Sequence, residues 1–354
     1  MQNNFKDNLS GDLLKVSASI IKTSPHLVEK VWGGVALQKA SKSSRPIGES
    51  WEVADLEDGQ CSCAGISIRD FVNARGSSSD FWGEHGRCPY VVKYIDAAEN
   101  LSLQVHPSDE YVRNFVNENG QGKSECWIIL GTSALKSQEE AKTPGIYLGM
   151  KPGSDRTHFE QSLYDLSSCH LLQMMNFYPV IPGDFWVVPA GTVHAIGAGV
   201  MLLEIQQFCG ITYRIWDWNR KNSRELHIEQ ALGAINFDST FNGSLAGLAQ
   251  KNIWRQVPMP MDGKAHSRER LLYEHPDFRV SILNLRTNDL QIFSLEQREC
   301  KRALTILCIE GKIEVARGDD RIVCDCFETL LLPFAGPTFI EIFAFEKSKV
   351  VIVD

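Results

Sequence analysis

Short apolar or alternating runs of residues recur along the whole chain, and Gly, Pro, Asn and Asp separate them. Runs of this length between turn residues are typical of many short antiparallel strands. The pattern therefore predicts a mainly β fold. The runs that carry this prediction lie at residues 89–95, 101–105, 126–130, 185–188, 200–205, 280–285, 304–309 and 329–332.

Helical patterns are fewer than strand patterns. We expect a helix at 66–74 and another at 109–116, for which Ser108 is a candidate N-cap. A third helix is predicted at 224–235 with Ser223 as its cap, because apolar residues there recur at helical spacing on one stripe. These helices are expected to pack against a β scaffold.

The sequence predicts two consecutive domains. A polar segment at 1–15 indicates a loose N-terminal arm, and the first domain is expected at 16–240. A polar stretch rich in Gly and Pro at 131–156 indicates an excursion from that domain. The second domain is then expected at 241–354.

A faint internal repeat supports two related barrels. The segments 183–194 and 326–339 each resemble a strand that enters a turn containing Pro and Gly. Phe339 in the second copy lies near the place of His194 in the first. The C-terminal domain is therefore expected to be a barrel without metal ligands.

Composition and charge exclude several classes of protein. The chain has 354 residues, of which 43% are hydrophobic and 23% charged, as in an ordinary globular protein. Lys and Arg total 36 against 44 acidic residues, and the net charge of −8 argues against a nucleic-acid partner. The first 20 residues contain charged side chains and lack the apolar stretch of a secretory signal, so we expect a cytoplasmic protein.

Two further patterns point away from membranes and disulfides. The uncharged run at 185–203 is long enough to cross a bilayer, but its Pro and Gly residues predict turns between buried strands. None of the 10 cysteines forms a C-x-x-C pair. We expect free thiols that pack as small hydrophobic side chains.

Four separated side chains predict a metal centre. Gln104 and His106 lie two residues apart in a strand pattern, and such side chains face the same cavity. Glu125 begins another predicted strand, and His194 follows a Pro-x-Gly turn. Two imidazoles, a carboxylate and an amide oxygen suit a borderline divalent ion, most naturally Zn²⁺ with an open position. Each residue alone is more often an ordinary core or surface residue, so the combination carries the prediction.

Residues 183–194 hold Gly, Asp, Pro, Gly and His at a spacing that resembles the second motif of the cupin superfamily. That resemblance implies a mainly β fold of two cupin-type barrels (double-stranded β-helix or jelly roll) with a few packing helices. Several motifs in order also resemble the type I mannose-6-phosphate isomerases, in their short bacterial form. These motifs are KVWGG at 30–34, IGESW at 47–51, LSLQVHP at 101–107, GKSECW at 122–127, PAGTVHAIGAG at 189–199 and TYRIWDW at 212–218.

The resemblance implies one Zn²⁺ per chain and a set of site residues. Departures from the family pattern occur at 208–210 and in the excursion, and they bear on substrate range more than on the reaction. The implied residues are Gln104, His106, Glu125 and His194 on the metal, Arg214, Glu204 and Lys123 in catalysis, and Lys93, Trp32 and Glu49 in substrate binding.

The implied reaction interconverts D-mannose 6-phosphate and D-fructose 6-phosphate. It moves a proton from C2 to C1 through an enediol(ate), which a zinc Lewis acid would stabilise. Glu204 lies in an apolar run, where burial raises the pKa of a carboxyl, so it is one candidate base. Lys123 is another, and Glu204 could instead only orient a cation. Arg214 could clamp the phosphate or stabilise the enediolate.

Neighbouring residues admit less definite interpretations. Arg220 and Lys221 indicate a solvated patch. Trp216 and Trp218 alternate with Arg214 and are expected on its face of the strand, where they suit either a sugar-stacking wall or core packing.

Two other functions fit the same residues. One is a cupin that binds a sugar phosphate without turnover. The other is a cupin Fe(II) oxygenase, since His106, Glu125 and His194 resemble the two-histidine, one-carboxylate set of such enzymes. The expected partner is a small-molecule sugar phosphate, and we expect a monomer or homodimer with no nucleic-acid or membrane partner.

Overall fold

The structure is a computed structural model, and it describes residues 19–40, 42–133, 143–164, 169–221, 224–255, 269–298 and 301–354. The predicted N-terminal arm and the middle of the predicted excursion lie outside these residues. Within the described residues strands predominate and helices are short. The prediction of a mainly β fold with a few packing helices is confirmed.

The strands are β1 (Ile21–Lys22), β2 (His26–Val28), β3 (Glu49–Val53), β4 (Asp55–Leu56), β5 (Gly59–Gln60), β6 (Ser62–Cys63), β7 (Ile66–Ser67), β8 (Tyr90–Ala97), β9 (Leu103–Val105), β10 (Glu125–Thr132), β11 (Gly145–Met150), β12 (Met175–Pro179), β13 (Phe185–Val188), β14 (His194–Ile196), β15 (Val200–Gln207), β16 (Tyr213–Trp216), β17 (Glu269–His275), β18 (Phe278–Leu285), β19 (Leu290–Ser294), β20 (Leu304–Glu310), β21 (Lys312–Arg317), β22 (Asp320–Asp325), β23 (Thr329–Leu332), β24 (Phe339–Ala344) and β25 (Ser348–Val353).

The helices are α1 (Ala36–Lys39), α2 (Ile68–Ala74), α3 (Ser78–Trp82), α4 (Asp109–Phe115), α5 (Arg156–Tyr164), α6 (Cys169–Gln173), α7 (Ile228–Ala234) and α8 (Ser239–Ser244). Short 3-10 turns follow at Leu245–Leu248 and Ile253–Arg255.

The chain divides into two compact units that interleave along the sequence. Of the described residues, one unit holds those up to His26 and those within Trp51–Tyr90 and Trp254–Asp354, and the other holds those within Leu27–Ser50 and Val91–Ile253. We call them the C-terminal unit and the ligand unit. The sequence predicted consecutive domains at 16–240 and 241–354, and that division stays a prediction.

The ligand unit is a barrel of two antiparallel sheets. A six-stranded sheet has the order β13-β10-β15-β8-β3-β2, and a five-stranded sheet has the order β12-β11-β14-β9-β16. Apolar side chains from both sheets form one core cluster, in which Trp127 and Trp186 of the first sheet join Leu148 and Ile196 of the second. A shared core of this kind fixes two sheets face to face.

The outer face of the five-stranded sheet is covered by helices. Leu103 and Val105 of β9 pack in a second cluster with Phe159 of α5 and Ala231 of α7. Because side chains alternate along a strand, Gln104, between these two residues, points to the opposite face, toward the interior of the barrel. The sheet thus separates an apolar outer layer from an inner face that carries polar groups.

The C-terminal unit contains a second pair of sheets. Their orders are β1-β23-β20-β25-β18-β17 and β19-β24-β21-β22, and one apolar cluster includes side chains of both. Ile306 and Ile352 of the first sheet are among its members, together with Val315 and Ile342 of the second. Among the described residues, the single group of three His, Cys, Asp or Glu side chains placed to hold a metal lies in the ligand unit.

The three predicted helices form with bounds that differ from the predicted ones at one or both ends. α2 begins at Ile68 because Ser67 caps it, and the Ser67 hydroxyl accepts a hydrogen bond from Asp70 N. Ser108 caps α4 in the same way, as predicted. The third predicted helix is shorter than expected: 224–227 precede α7, and the predicted cap Ser223 lies outside the described residues. Main-chain and side-chain groups of 224–227 form hydrogen bonds with Arg214 and Asp217.

The run at 185–203 forms strands and turns, as predicted. Within the described residues no helix is long and apolar enough to span a bilayer. Each cysteine whose side chain is described is a free thiol, and Cys326 is the exposed one among them.

Candidate metal centre and active site

Three side chains converge inside the barrel of the ligand unit. His106 Nε2 lies 3.4 Å from Glu125 Oε2, and His194 Nε2 lies 3.6 Å from Glu125 Oε1. One ligand atom from each of the three residues can be chosen so that all lie within 4.8 Å of one another. All three side chains are buried, with at most 1% of their surface exposed. A common point therefore exists at which a single ion could contact two imidazoles and a carboxylate.

Strand register places the second histidine beside the glutamine. His194 of β14 pairs with Gln104 of β9, and Gln104 pairs on its other side with Arg214 of β16. Directly paired residues of an antiparallel sheet point to the same face. His194, Gln104 and Arg214 therefore form one row across three adjacent strands, and His106 follows Gln104 two positions on.

The six-stranded sheet supplies the acidic groups. Glu125 begins β10, and Trp127 two positions later pairs with Glu204 of β15. Since positions two apart share a face, Glu125 and Glu204 both point toward the barrel interior. The site is thus built from two sheets, with the imidazoles on one and the carboxylates on the other.

Hydrogen bonds to carbonyl groups orient both histidine rings. Nδ1 of His106 lies 2.9 Å from the carbonyl oxygen of Ile211, and Nδ1 of His194 lies 2.9 Å from that of Thr192. With the proton on Nδ1, each ring directs an unprotonated Nε2 toward the common point. Burial lowers the pKa of His194 to about 4 and that of His106 well below its ordinary value. Both rings are neutral at physiological pH, which is the form that binds metals.

The turn before His194 depends on a glycine. Gly191 has a φ of 84°, a left-handed conformation that side chains rarely adopt. Its N–H donates to the His106 carbonyl at 2.8 Å, and its own carbonyl accepts from Asn236 N at 2.9 Å. The turn that precedes His194 is therefore hydrogen-bonded to the main chain of His106 on one side and to that of Asn236 on the other.

The amide of Gln104 lies at the edge of the triad. Its Nε2 is 3.2 Å from His194 Nε2, and its Oε1 accepts from the Ser102 hydroxyl at 3.1 Å. The two ends of an amide are assigned from their partners, and a hydroxyl can accept as well as donate. A rotated amide would direct its oxygen to the common point and keep its bond to Ser102. The predicted role of Gln104 as a ligand stays a prediction.

Lys123 reaches the same place from the loop before β10. Its Nζ lies 2.9 Å from His106 Nε2 and 2.8 Å from Glu125 Oε2, and the residue is 5% exposed. Neither carboxylate oxygen of Glu125 has a partner in regular hydrogen-bond geometry, although both are buried. A buried carboxylate of this kind requires a cation. The ammonium group thus brings positive charge to the atoms that would bind a metal.

A series of alternating charges continues from Lys123. Glu204 Oε1 lies 3.9 Å from Lys123 Nζ and 3.7 Å from Lys93 Nζ. Glu49, also buried, forms an ion pair with Lys30 at 3.2 Å and interacts with the charge of Lys93. Burial raises the pKa of Glu204, and Glu125 adds to the shift. Burial also lowers the pKa of Lys93, which Glu204 partly offsets.

Trp32 lies in the apolar core of the ligand unit. It is 2% exposed and belongs to the apolar cluster between the two sheets. Its predicted contact with substrate stays a prediction, and its surroundings in the structure are those of a core residue.

A bulge changes the face of one tryptophan. The pairing of β16 with β9 shifts between Arg214 and Trp216, so that Trp216 pairs with Leu103. It packs on the outer cluster that contains Leu103, while Arg214 faces inward. The expectation that Trp216 shares the face of Arg214 is therefore wrong, and the extra residue of the bulge is the reason. Trp218 stacks on Trp216 with ring centroids 4.4 Å apart.

Arg220 also differs from its prediction as a solvated residue. Its side chain is 14% exposed and its Nη1 donates to Asp217 Oδ1 at 2.6 Å. Asp217 is the residue that sequence reasoning missed at this site. Its position in the TYRIWDW motif was visible, but its partners Arg220 and Arg224 are recognisable only once the loop is folded.

The fold and this site define a cupin-type barrel protein with a buried His–Glu–His group placed to hold a metal ion. No protein-family model matches the chain. The chain is 34% identical to mannose-6-phosphate isomerase ManA of Bacillus subtilis over 61% of its own length and 67% of that protein. It is 29% identical to the mannose-6-phosphate isomerase of Streptococcus mutans over 64% of its own length and 70% of that protein. The chain belongs to the mannose-6-phosphate isomerase family.

Solved structures agree in fold. The crystal structure of the Bacillus subtilis mannose 6-phosphate isomerase matches with a TM-score of 0.73 at 24% identity, over 95% of this chain and all of that one (100%). A structure titled as a putative mannosephosphate isomerase from Archaeoglobus fulgidus matches with a TM-score of 0.70 at 18% identity, over 94% of this chain and 96% of that one. These matches extend the fold assignment across the C-terminal unit.

Proposed function

We propose that this protein is an aldose–ketose isomerase that interconverts D-mannose 6-phosphate and D-fructose 6-phosphate and depends on one Zn²⁺ per chain. The observation that carries the proposal is the convergence of His106, Glu125 and His194 within 4.8 Å, beside the basic and acidic groups that the reaction needs. The membership of the chain in the family supplies the substrate pair.

The donor set fits zinc. Two neutral imidazoles and a carboxylate, with Gln104 as a fourth donor, are the ligands that Zn²⁺ accepts in catalytic sites. The Glu125 carboxylate is compatible with this set, since Oε2 lies 2.8 Å from the Lys123 ammonium while buried Oε1 has no hydrogen-bond partner among the described residues. When bound, the ion would act as a Lewis acid that offsets negative charge developing on the sugar oxygens.

Glu204 is the proposed base. Isomerisation moves a proton from C2 to C1, and one carboxylate can accept it and return it. The charge of Lys123 is already engaged with His106 and Glu125 at short distances, whereas both contacts of Glu204 with ammonium groups exceed 3.6 Å. The raised pKa of Glu204 also brings it closer to the pH at which proton transfer must occur.

The cations of the site suit an anionic substrate. Arg214 lies two strands from His194 in the same row, roughly 10 Å away by strand spacing. It supplies a planar fork for the phosphate or the enediolate oxygens. Lys123 is proposed to hold positive charge beside the reacting carbons. Lys93 lies next to Glu204, the proposed base, and Glu49 interacts with the charge of Lys93. Trp32 is proposed to shape the cleft from the core side.

The experiment is a coupled assay of mannose 6-phosphate isomerisation on purified protein, with metal content measured on the same sample. Chelator treatment should abolish turnover, and Zn²⁺ should restore it. His194→Asn should lose both metal and turnover. The matched control His158→Asn changes an exposed histidine paired with Asp155 and should leave both unchanged.

Two results would replace the proposal. Calorimetric binding of mannose 6-phosphate by metal-loaded protein without turnover would indicate a binding protein. Iron in the purified protein together with oxygen uptake would indicate an Fe(II) oxygenase. The expected cytoplasmic location, the monomeric or homodimeric state and the absence of a nucleic-acid partner stay predictions.

A further inference from the structure

The guanidinium of Arg214 is held without a carboxylate partner. Its Nη1 donates to the carbonyl oxygen of Glu225 at 2.7 Å. The charges of Asp217 and Glu225 act on the guanidinium, but neither carboxylate forms an ion pair with it among the described residues. Its Nε is buried and has no hydrogen-bond partner. Because a main-chain carbonyl holds one end of the fork, the position of Arg214 depends on the position of residue 225, while its positive charge stays available for an anion.

The segment at 224–227 forms three hydrogen bonds with Arg214. Besides the Glu225 carbonyl, His227 N donates to the Arg214 carbonyl at 2.8 Å, and Arg214 N donates to His227 Nδ1 at 3.2 Å. In a longer α7 the Glu225 carbonyl would instead accept a hydrogen bond within the first turn of the helix. The coil at 224–227 is therefore a support for Arg214 instead of a helix start.

Asp217 anchors that segment. Its carboxylate accepts from Arg224 Nη2 at 2.7 Å, from Arg224 Nε at 3.1 Å and from Arg224 N at 3.4 Å. Asp217 is 3% exposed. Burial raises its pKa, but hydrogen bonds from Arg224 and the charges of Arg224 and Arg220 outweigh burial and lower the pKa below its ordinary value. The carboxylate is therefore ionised at neutral pH and fixes the residue next to Glu225.

The same carboxylate fixes the turn after β16. Arg220 donates to Asp217 Oδ1 and, through Nη2, to the Asn100 carbonyl at 2.5 Å. Trp218 and Asn219 in this turn have φ values of 58° and 50°, which non-glycine residues adopt only when the surroundings hold them. Asp217 thus joins the turn that follows Arg214 to the segment that supports it.

We propose that Asp217 is a positioning residue for Arg214: through Arg224 it fixes the Glu225 carbonyl that orients the Arg214 guanidinium toward the substrate anion. The identity of that anion rests on the proposed function, but the positioning itself does not. Asp217 needs no contact with substrate or metal in this role. Its effect on the reaction should pass through Arg214.

A double-mutant cycle tests this route. Asp217→Asn keeps the size of the side chain and removes its charge, and a misplaced fork should lower kcat/KM by about tenfold to a hundredfold. In an Arg214→Met background the same substitution should change kcat/KM less than about twofold, because effects that act through one residue do not add. Asp217→Glu should recover part of the loss. Equal factors in both backgrounds would overturn the proposal.

A matched control separates positioning from stability. Asp184 is a buried carboxylate of the same unit, 1% exposed, that pairs with Lys251 at 2.7 Å. Asp184→Asn should lower the melting temperature and leave kcat/KM within about twofold. If Asp217→Asn does not fold, Arg224→Lys, which keeps the charge and loses the fork, replaces it in the cycle.

A spectroscopic readout keeps the test independent of turnover. The buried Nε–H of Arg214 should give a protected resonance in protein labelled with ¹⁵N-arginine, assigned by its loss in Arg214→Met. Asp217→Asn should broaden or shift this resonance, and Asp184→Asn should not. An unchanged resonance in Asp217→Asn overturns the positioning role even in a protein that isomerises nothing, whereas absent turnover with the expected spectra refutes only the proposed function.

Discussion

The ammonium of Lys123 competes with a metal ion for the same ligands, and removing it should tighten metal binding. Its Nζ lies 2.9 Å from His106 Nε2 and 2.8 Å from Glu125 Oε2, both of which are proposed ligand atoms. A divalent ion at these atoms must therefore displace the ammonium group or remain near it. Lys123→Met removes this repulsion and keeps the aliphatic chain.

Coulomb's law gives the size of the effect. Once displaced, the ammonium can move toward Glu204, which lies 3.9 Å from Nζ. At a separation of about 8 Å, a divalent ion and a unit charge repel by about 1 kcal/mol in water-like surroundings and by about 4 kcal/mol at an effective dielectric constant of 20. We therefore expect Lys123→Met to bind Zn²⁺ about tenfold more tightly or better, since tenfold corresponds to about 1.4 kcal/mol.

The assay is a titration of metal-free protein with Zn²⁺ against a chromophoric chelator at pH 7.5. Lys251→Met is the matched control, because it removes an ammonium group that pairs with Asp184 instead of with a proposed ligand. The Zn²⁺ affinity of this variant should stay within about twofold of that of the unaltered protein. Unchanged or weaker binding in Lys123→Met would refute the argument that the ammonium and the ion share these ligands. Turnover should fall in the same variant, so tighter metal binding and lower activity are expected together.

Three other results are expected. Metal-free protein should lose stability as pH falls from 6.5, the ordinary pKa of histidine, to about 4, the value to which burial lowers the pKa of His194. The unfolded chain binds more protons in that window, so the free energy of unfolding, measured by denaturant titration, should fall by up to about 1.4 kcal/mol per pH unit for each of His106 and His194, and a constant free energy of unfolding would contradict the burial argument. Gln104→Leu should weaken Zn²⁺ binding by about tenfold to a hundredfold in the chelator titration, whether the amide binds the ion or only steadies His194, and unchanged affinity would exclude both roles. Trp32→Phe should lower the melting temperature while KM changes less than about twofold, because Trp32 lies in the apolar cluster; a larger change in KM with an unaltered melting temperature would indicate a direct contact with substrate.

Two local sequence patterns, the alternation of side chains along a strand and the spacing of turn residues, predicted much of the candidate site. Gln104 and His106 could be assigned to one face because strand periodicity is local. The turn before His194 was recognisable because Gly191 must adopt a left-handed conformation that few other residues tolerate. Both inferences need only a few consecutive residues.

Strand register was not accessible in the same way. The row of His194, Gln104 and Arg214 joins strands that are far apart in the sequence, and their alignment is set by tertiary packing. The bulge after Arg214 moves Trp216 to the outer face, and no residue type in the motif marks that extra position. The position of Lys123 between His106 and Glu125, two proposed ligands, likewise depends on the packing of the two sheets.

The side chains of the candidate site are held in place in two different ways. Strands of two sheets hold the histidines and carboxylates, and a shared apolar core fixes those sheets against each other. Arg214 also lies on a strand, but its guanidinium ends beyond that scaffold and is held by a carbonyl in a coil, which Asp217 and Arg224 keep in place. A strand fixes a main chain far better than it fixes the end of a long side chain, so the arginine needs a second support that the imidazoles do not. Substitutions at Asp217 and Arg224 should therefore alter the binding of the anion while leaving metal affinity unchanged.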